Sequence, residues 1–416
     1  MPHSSLCWRF SRLQPAMRIP SFFLPTVIGG TRSSGNRIAW IVAAIQFTNA
    51  LEYMAISPLF PWLAADFGVP VAWAGYAAGI YTGTAILSGL VAYFWIDRFD
   101  LRRLLMSTLA VLTLATLAIT LVQTFAGLMF WRAVAGLMGG LVMSAASGAL
   151  LAHITPQERP ALLARVVAAF SAVRIVGTPL VIWIASHWGW PWSFRLIALC
   201  CLLCLFAAAM GLPPSPAVRP SAMPEMPWAH LRGKTLVYAA LNAMSQLPAL
   251  LLIPLLAPLL VLLAGTSDSL PLLFCIGGVA GLLASRLAGK FMRHHSPARG
   301  FAIALGLFAA NLAGVLSQHW PAWCVILVFM ATTYTALVAA STLSAAHPVP
   351  ERRASFCALQ SACMHLGSTL AFGASALIMP SSARQLSDYT PLIACAALLA
   401  LGLILSLRKT FSAAAT

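Results

Sequence analysis

The chain has 416 residues, 60% hydrophobic and only 8% charged, with 25 Lys+Arg, 9 Asp+Glu and a formal net charge of +16. Soluble domains carry about a quarter charged residues, so this chain cannot cover a water-facing surface. Its basic residues are scattered between long apolar runs and form no basic face, which excludes a nucleic-acid partner and points to a lipid bilayer.

Residues 1–36 are basic and contain no acidic side chain, and their one apolar stretch, 19–30, is too short and too proline-interrupted to cross a membrane. They read as a basic tail, with Met17 an alternative start; a transit peptide is a further reading. Twelve apolar runs of membrane-spanning length follow. The first six are 38–60, 72–96, 104–123, 125–151, 162–186 and 194–212. The second six are 235–263, 270–288, 301–317, 322–345, 354–379 and 391–407. Between them, residues 213–234 hold prolines at 213, 214, 216, 220, 224 and 227 and no helical period, which marks a linker. The chain thus divides into a tail 1–36, a six-helix half 37–212, the linker 213–234, a second six-helix half 235–409 and a C-terminal tail 410–416.

The two halves share landmarks at nearly one offset. Asn49-Ala50-Leu51 returns as Asn242-Ala243-Met244 after 193 residues, Arg98-Phe99 as Lys290-Phe291 after 192, and Glu158-Arg159 as Glu351-Arg352 after 193. The pattern predicts an all-α integral membrane protein whose second six helices repeat the first six in parallel. If the N-terminus is cytoplasmic, nearly all loop Arg and Lys fall on that side, leaving Arg195 and Arg384 opposite, so both termini are expected inside. Eight cysteines lie within apolar segments and read as small hydrophobes; Cys201 and Cys204 have no nearby His or second pair, so no metal or other cofactor is expected.

Several motifs resemble those of the major facilitator superfamily. Residues 93–103, with Asp97-Arg98 followed by Arg102-Arg103, are similar to its cytoplasmic loop signature after the second span. Arg132 with Gly136, Gly139 and Gly140 resembles its fourth-span arginine-glycine motif, and Gly177-Thr178-Pro179 resembles the Gly-Pro motif of its antiporters. The first span, 47–59, is similar to the sugar/arabinose-efflux and drug:proton antiporter branch, with Glu52 where that branch usually has Asp. The resemblance implies the major facilitator fold and secondary transport, with a proton-coupling role for Arg132 and close helix packing at Gly136, Gly177 and Pro179.

Glu52 is the one acidic residue inside a span away from a loop. A mid-membrane charge costs about 2.5–3.5 kcal/mol on an insertion scale, so Glu52 must titrate, pair or face water. Coupling to protons and a fixed structural ion pair are both open readings. Arg132 is expected at a similar depth, where it either tunes Glu52 or clamps backbone carbonyls. Arg174, about 20 Å into the fifth span at ~1.5 Å per residue, either pairs with Glu52 or gives the cavity a surplus positive charge for a carboxylate or phosphate. His365, in the eleventh span, could bind solute or carry protons. Gln46, Asn49, Asn242, Gln246, Asn311, Tyr334 and Gln360 are candidate cavity-lining hydrogen-bonders or interhelical contacts. Asp97, Arg98, Arg102, Arg103 and Lys290 are candidates for a cytoplasmic latch, against a plain orientation signal.

The expected function is export of a small organic solute by proton antiport with alternating access. A proton-independent facilitator or importer of the same fold is the alternative, and a membrane sensor or enzyme the remotest one, since no catalytic constellation is visible. The expected partners are the bilayer, protons and a small-molecule solute. The expected setting is the bacterial inner membrane, and the chain is expected to be a monomer.

Overall fold

The computed structural model describes residues 34–95, 99–152, 166, 169, 172–213, 233–292, 294–317, 320–345, 353–381 and 385–412. Every regular element among them is helical. In a bilayer core no water is available to bond an open backbone, so each crossing segment must close its own hydrogen bonds. The helices of the first half are α1 (Ser34–Phe67), α2 (Ala74–Trp95), α3 (Leu101–Ile119), α4 (Phe125–Ala152), α5 (Thr178–Trp188) and α6 (Trp190–Gly211). The second half supplies α7 (Gly233–Leu252), α8 (Leu256–Ala264), α9 (Leu270–Phe291), α10 (Pro297–Leu316), α11 (Ala322–Ala345), α12 (Arg353–Ile378) and α13 (Thr390–Ser412). Ten described helical segments are long and apolar enough to cross a membrane, with α7 and α8 counted as one span. The helix α2 and the segment ending in α5 complete twelve spans.

Three spans depart from their expected form, each for a backbone reason. The first was expected to end at residue 60 but runs through Pro58 and Pro61 to Phe67. Proline costs an amide and a carbonyl partner, a loss that transmembrane helices tolerate when neighbours re-satisfy the freed groups. The seventh breaks into α7 and α8 at a 3₁₀ turn, Ile253–Leu255, centred on Pro254. The fifth carries a π-helical turn within it, Val173–Gly177, before Pro179 near the start of α5. Gly189, at φ 88°, makes the tight reversal from α5 to α6, a conformation that side chains with a Cβ resist.

Packing repeats between the halves. In the first, α4 packs on α1, α2 and α3, while α6 packs on α1 and α3. In the second, α11 packs on α7, α9 and α10, while α13 packs on α7 and α10. The halves meet through α2 with α12, through the π turn and α5 with α9, and through α1 with α8. These seams are tight: a Cβ added to Gly75 of α2 would come 2.1 Å from the Phe372 carbonyl of α12. The Thr369 hydroxyl also donates to Thr82 Oγ1 at 2.8 Å.

Candidate substrate cavity and buried ion pair

Gln46, Asn49 and Glu52 recur every three residues on α1, a spacing that lines up one helix face, and that face is stitched to α4. Gln46 Nε2 donates to the Met143 carbonyl and to Ser147 Oγ, each at 3.3 Å, and Asn49 Nδ2 donates to the Gly139 carbonyl at 3.2 Å. Arg132 Nη1 donates to Glu52 Oε1 at 2.7 Å and to the Glu52 carbonyl at 3.3 Å. Both members of the pair are 0% exposed. The guanidinium also lies 4.6 Å from the centre of the Tyr81 ring on α2. Small residues allow this closeness. A Cβ on Gly136 would meet the Tyr81 carbonyl at 2.3 Å, and one on Gly139 would approach both Tyr81 and Asn49. Three atoms of the pair have no hydrogen-bond partner: Glu52 Oε2, Arg132 Nε and Arg132 Nη2.

Beside this pair lies a cavity of about 420 Å³, reached by α1, α2, α4 and the fifth span from one half and by α7, α8, α9, α11 and α12 from the other. Of the residues expected to line it, Asn49, Arg174, Asn242, Gln246, Gln360 and His365 do so. Gln246 is also anchored to α11 through the Thr333 carbonyl at 3.1 Å, and Asn242 accepts from Ser341 at 3.2 Å. Three expected residues stand elsewhere. Gln46 is taken up by α4, a turn from the wall. Asn311 is buried in α10, which packs behind α11, and donates to the Val325 carbonyl. Tyr334 does not line the cavity; its ring lies against Gly281, 5.3 Å from the Arg174 guanidinium.

Arg174 does not reach Glu52, whose carboxylate is held by Arg132. Instead the π turn places the Arg174 carbonyl against Gly278 of α9, where an added Cβ would come within 2.8 Å, and the guanidinium reaches Met330 Sδ at 3.7 Å. An arginine of the first half is thus held by α9 and α11 of the second. Sequence reading missed this slot, as well as Tyr53, Met54 and Ser361 on the cavity wall. The glycine run Gly277, Gly278 and Gly281 of α9 is the sequence feature that makes room for it. Gly177 packs on Phe47 and Leu51 of α1.

Of the latch candidates, Asp97 and Arg98 lie outside the described residues. Arg102 donates to the Ala209 carbonyl, tying α3 to α6 within one half. Arg103 is 89% exposed and 3.7 Å from Asp100, and Lys290 is exposed at the end of α9.

A bilayer-spanning bundle of two like halves, closed around one central cavity with a buried ion pair beside it, defines a carrier of small solutes. Residues 42–299 match the model of the Major Facilitator Superfamily, and the chain belongs to that family. It is 24% identical over 186 residues to the purine ribonucleoside efflux pump NepI of Shigella sonnei and to that of Escherichia coli strain K12. Those alignments cover 45% of this chain, which spans about half the length of the curated relatives it matches. Similar solved folds include a variant of the nucleoside transporter NupG, with TM-score 0.71, 12% identity, and coverage of 91% of this chain and 100% of that one. The xylose transporter XylE from E. coli, in a partially occluded inward-open conformation, gives TM-score 0.66 at 15% identity, covering 89% of this chain and 98% of that one.

Proposed function

We propose that the protein exports a small organic solute in exchange for protons, with its halves 37–212 and 235–409 rocking around the central cavity. The observation that carries this reading is the Glu52–Arg132 pair, fully buried, partly unsatisfied and confined to one half. By the 193-residue offset Ser245 and Val325 stand at the corresponding positions of the other half. A purely structural tie would need no charge, as the second half demonstrates by joining α7 to α11 through Asn242, Gln246 and neutral partners. A carboxylate that exchanges a proton for its arginine gives the two access states different energies. Similarity to the NepI pumps over 186 residues supports the export direction.

In this reading Asn49, Asn242, Gln246, Gln360 and His365 contribute the solute's polar contacts, and Arg102, Arg103 and Lys290 lie at the cytoplasmic mouth with both termini inside the bacterial inner membrane. The described seams between the halves run through α1 with α8, through α2 with α12 at Gly75, and through the π turn and α5 with α9.

The test is transport in proteoliposomes under an imposed pH gradient, screened over nucleosides, sugars and organic acids, with Glu52→Gln in parallel. The variant is expected to lose gradient-driven accumulation while retaining solute counterflow. Undiminished gradient-driven transport by Glu52→Gln removes it as the coupling group, and wild-type counterflow without pH dependence favours the facilitator.

A further inference from the structure

We infer that the transported solute is an organic anion with a flat apolar body, its carboxylate or phosphate group docked on Arg174; this rests on reading the cavity as the transport site. The first argument is charge. Among the described residues, Arg174 is the one Arg or Lys that lines the cavity, and no Asp or Glu lines it. The nearby intramembrane carboxylate, Glu52, is held by Arg132 at 2.7 Å and does not reach the wall. Among the described residues no carboxylate forms an ion pair with Arg174. A guanidinium cannot deprotonate to escape burial. Its contacts among the described residues include a thioether sulfur and an aromatic face, which hold it in place without neutralising it.

The second argument is that this arginine is built in rather than passing through. Its backbone is fixed by a π-helical turn and by the close approach of Gly278, while Gly281 lets Tyr334 lie beneath the guanidinium. π turns inside α-helices fall frequently at functional sites. The surrounding shell has donors suited to anion oxygens on α12, where Gln360, Ser361 and His365 line the same cavity. Beside Asn49, Asn242 and Gln246, much of the remaining wall is apolar and soft, with Tyr53, Phe274 and Phe372 beside Met54, Met143 and Met364. A volume of about 420 Å³ equals roughly fourteen waters at ~30 Å³ each, enough for one or two fused rings and an acidic group. A neutral solute of that shape would fill the apolar part and leave a desolvated guanidinium unanswered.

The test uses matched pairs on purified full-length protein, read by isothermal titration calorimetry: indole-3-acetate against indole-3-acetamide, benzoate against benzamide, and AMP against adenosine. At least one anion is expected to bind about 10-fold or more tightly than its neutral partner, the scale of a contact to a buried charge. The first two pairs report a carboxylate seat and the third a phosphate seat. Arg174→Gln should reduce the preference to within about 2-fold, and Arg174→Lys should keep part of it. Equal binding of acid and neutral partner, no binding of any acid, or a preference retained in Arg174→Gln overturns the inference. Should the variants fail to fold, the wild-type pairs decide it. Gradient-driven transport confined to neutral solutes would overturn this inference and leave proton coupling standing. Arg174-dependent binding of acids, combined with unimpaired gradient-driven transport by Glu52→Gln, would do the reverse.

Discussion

Glu52 offers two carboxylate oxygens and uses one; Arg132 offers three nitrogens and uses Nη1 alone. Buried polar groups are nearly always satisfied, so this pair carries more hydrogen-bonding capacity than its direct contact uses. The arithmetic of buried pairs makes its coupling testable. Removing one partner strands the other charge at a cost of about 3–5 kcal/mol, whereas removing both can be nearly neutral. Arg132→Gln should therefore lower the melting temperature in detergent, and the double variant Glu52→Gln/Arg132→Gln should recover part of the loss. Additive losses from the two sites would mean that the pair is not energetically coupled. This measurement concerns stability and stands apart from the transport assay.

Helix contacts in this protein depend on the absence of side chains as much as on their presence. Lipid is as apolar as leucine, so helix association draws on close packing and small residues rather than on the hydrophobic effect. Gly136 meets α2 so closely that a methyl group would stand 2.3 Å from the Tyr81 carbonyl and 2.4 Å from Thr84 Oγ1. Gly373 of α12, by contrast, has nothing within 4 Å of the same added atom. Gly136→Ala is thus expected to destabilise by about 1–3 kcal/mol, the range for overpacking, and Gly373→Ala to leave the melting temperature unchanged. Matching melting curves for the two variants would show that α2 and α4 can part without cost. Proline acts on the same scale. Pro58 and Pro61 deprive the Met54 and Ser57 carbonyls of their helical donors, and both residues line the cavity.

At the scale of the molecule, each seam between halves must open if the cavity is to face alternate sides. The Thr82–Thr369 contact joins α2 and α12 at 2.8 Å, near enough for a cross-link. In a background with the nine native cysteines replaced, Thr82→Cys/Thr369→Cys should stop transport on oxidation and recover it on reduction. Full transport by the oxidised, cross-linked protein would mean that this seam stays shut throughout the cycle. Gly75→Val attacks the same seam by bulk, since the Phe372 carbonyl leaves no room for a side chain. It should favour the state in which this end is open, read as increased labelling of a cysteine placed at Ser57 on the cavity wall. Labelling equal to that of the otherwise identical protein with Gly75 would show that the contact does not set the balance.

The sequence by itself determined the bilayer, the twelve spans, the parallel repeat and the family, because length, hydropathy and short motifs are local properties that the bilayer enforces one helix at a time. It also marked Glu52 and Arg132, since charges inside apolar runs are conspicuous wherever they point. Only the tertiary structure decided which face each helix turns inward. A helix apolar all round carries no amphipathic stripe, and the lipid and the protein interior reward the same side chains. Gln46, Asn311 and Tyr334 were therefore indistinguishable from true cavity residues until partners far along the chain were in place: Ser147 for Gln46, Val325 for Asn311 and Gly281 for Tyr334. The fate of Arg174 turned on the same cause. Its separation from Glu52 and its seat over Tyr334 follow from how α9 and α11 of one half pack against a π turn of the other, a relation between surfaces that no single stretch of sequence contains.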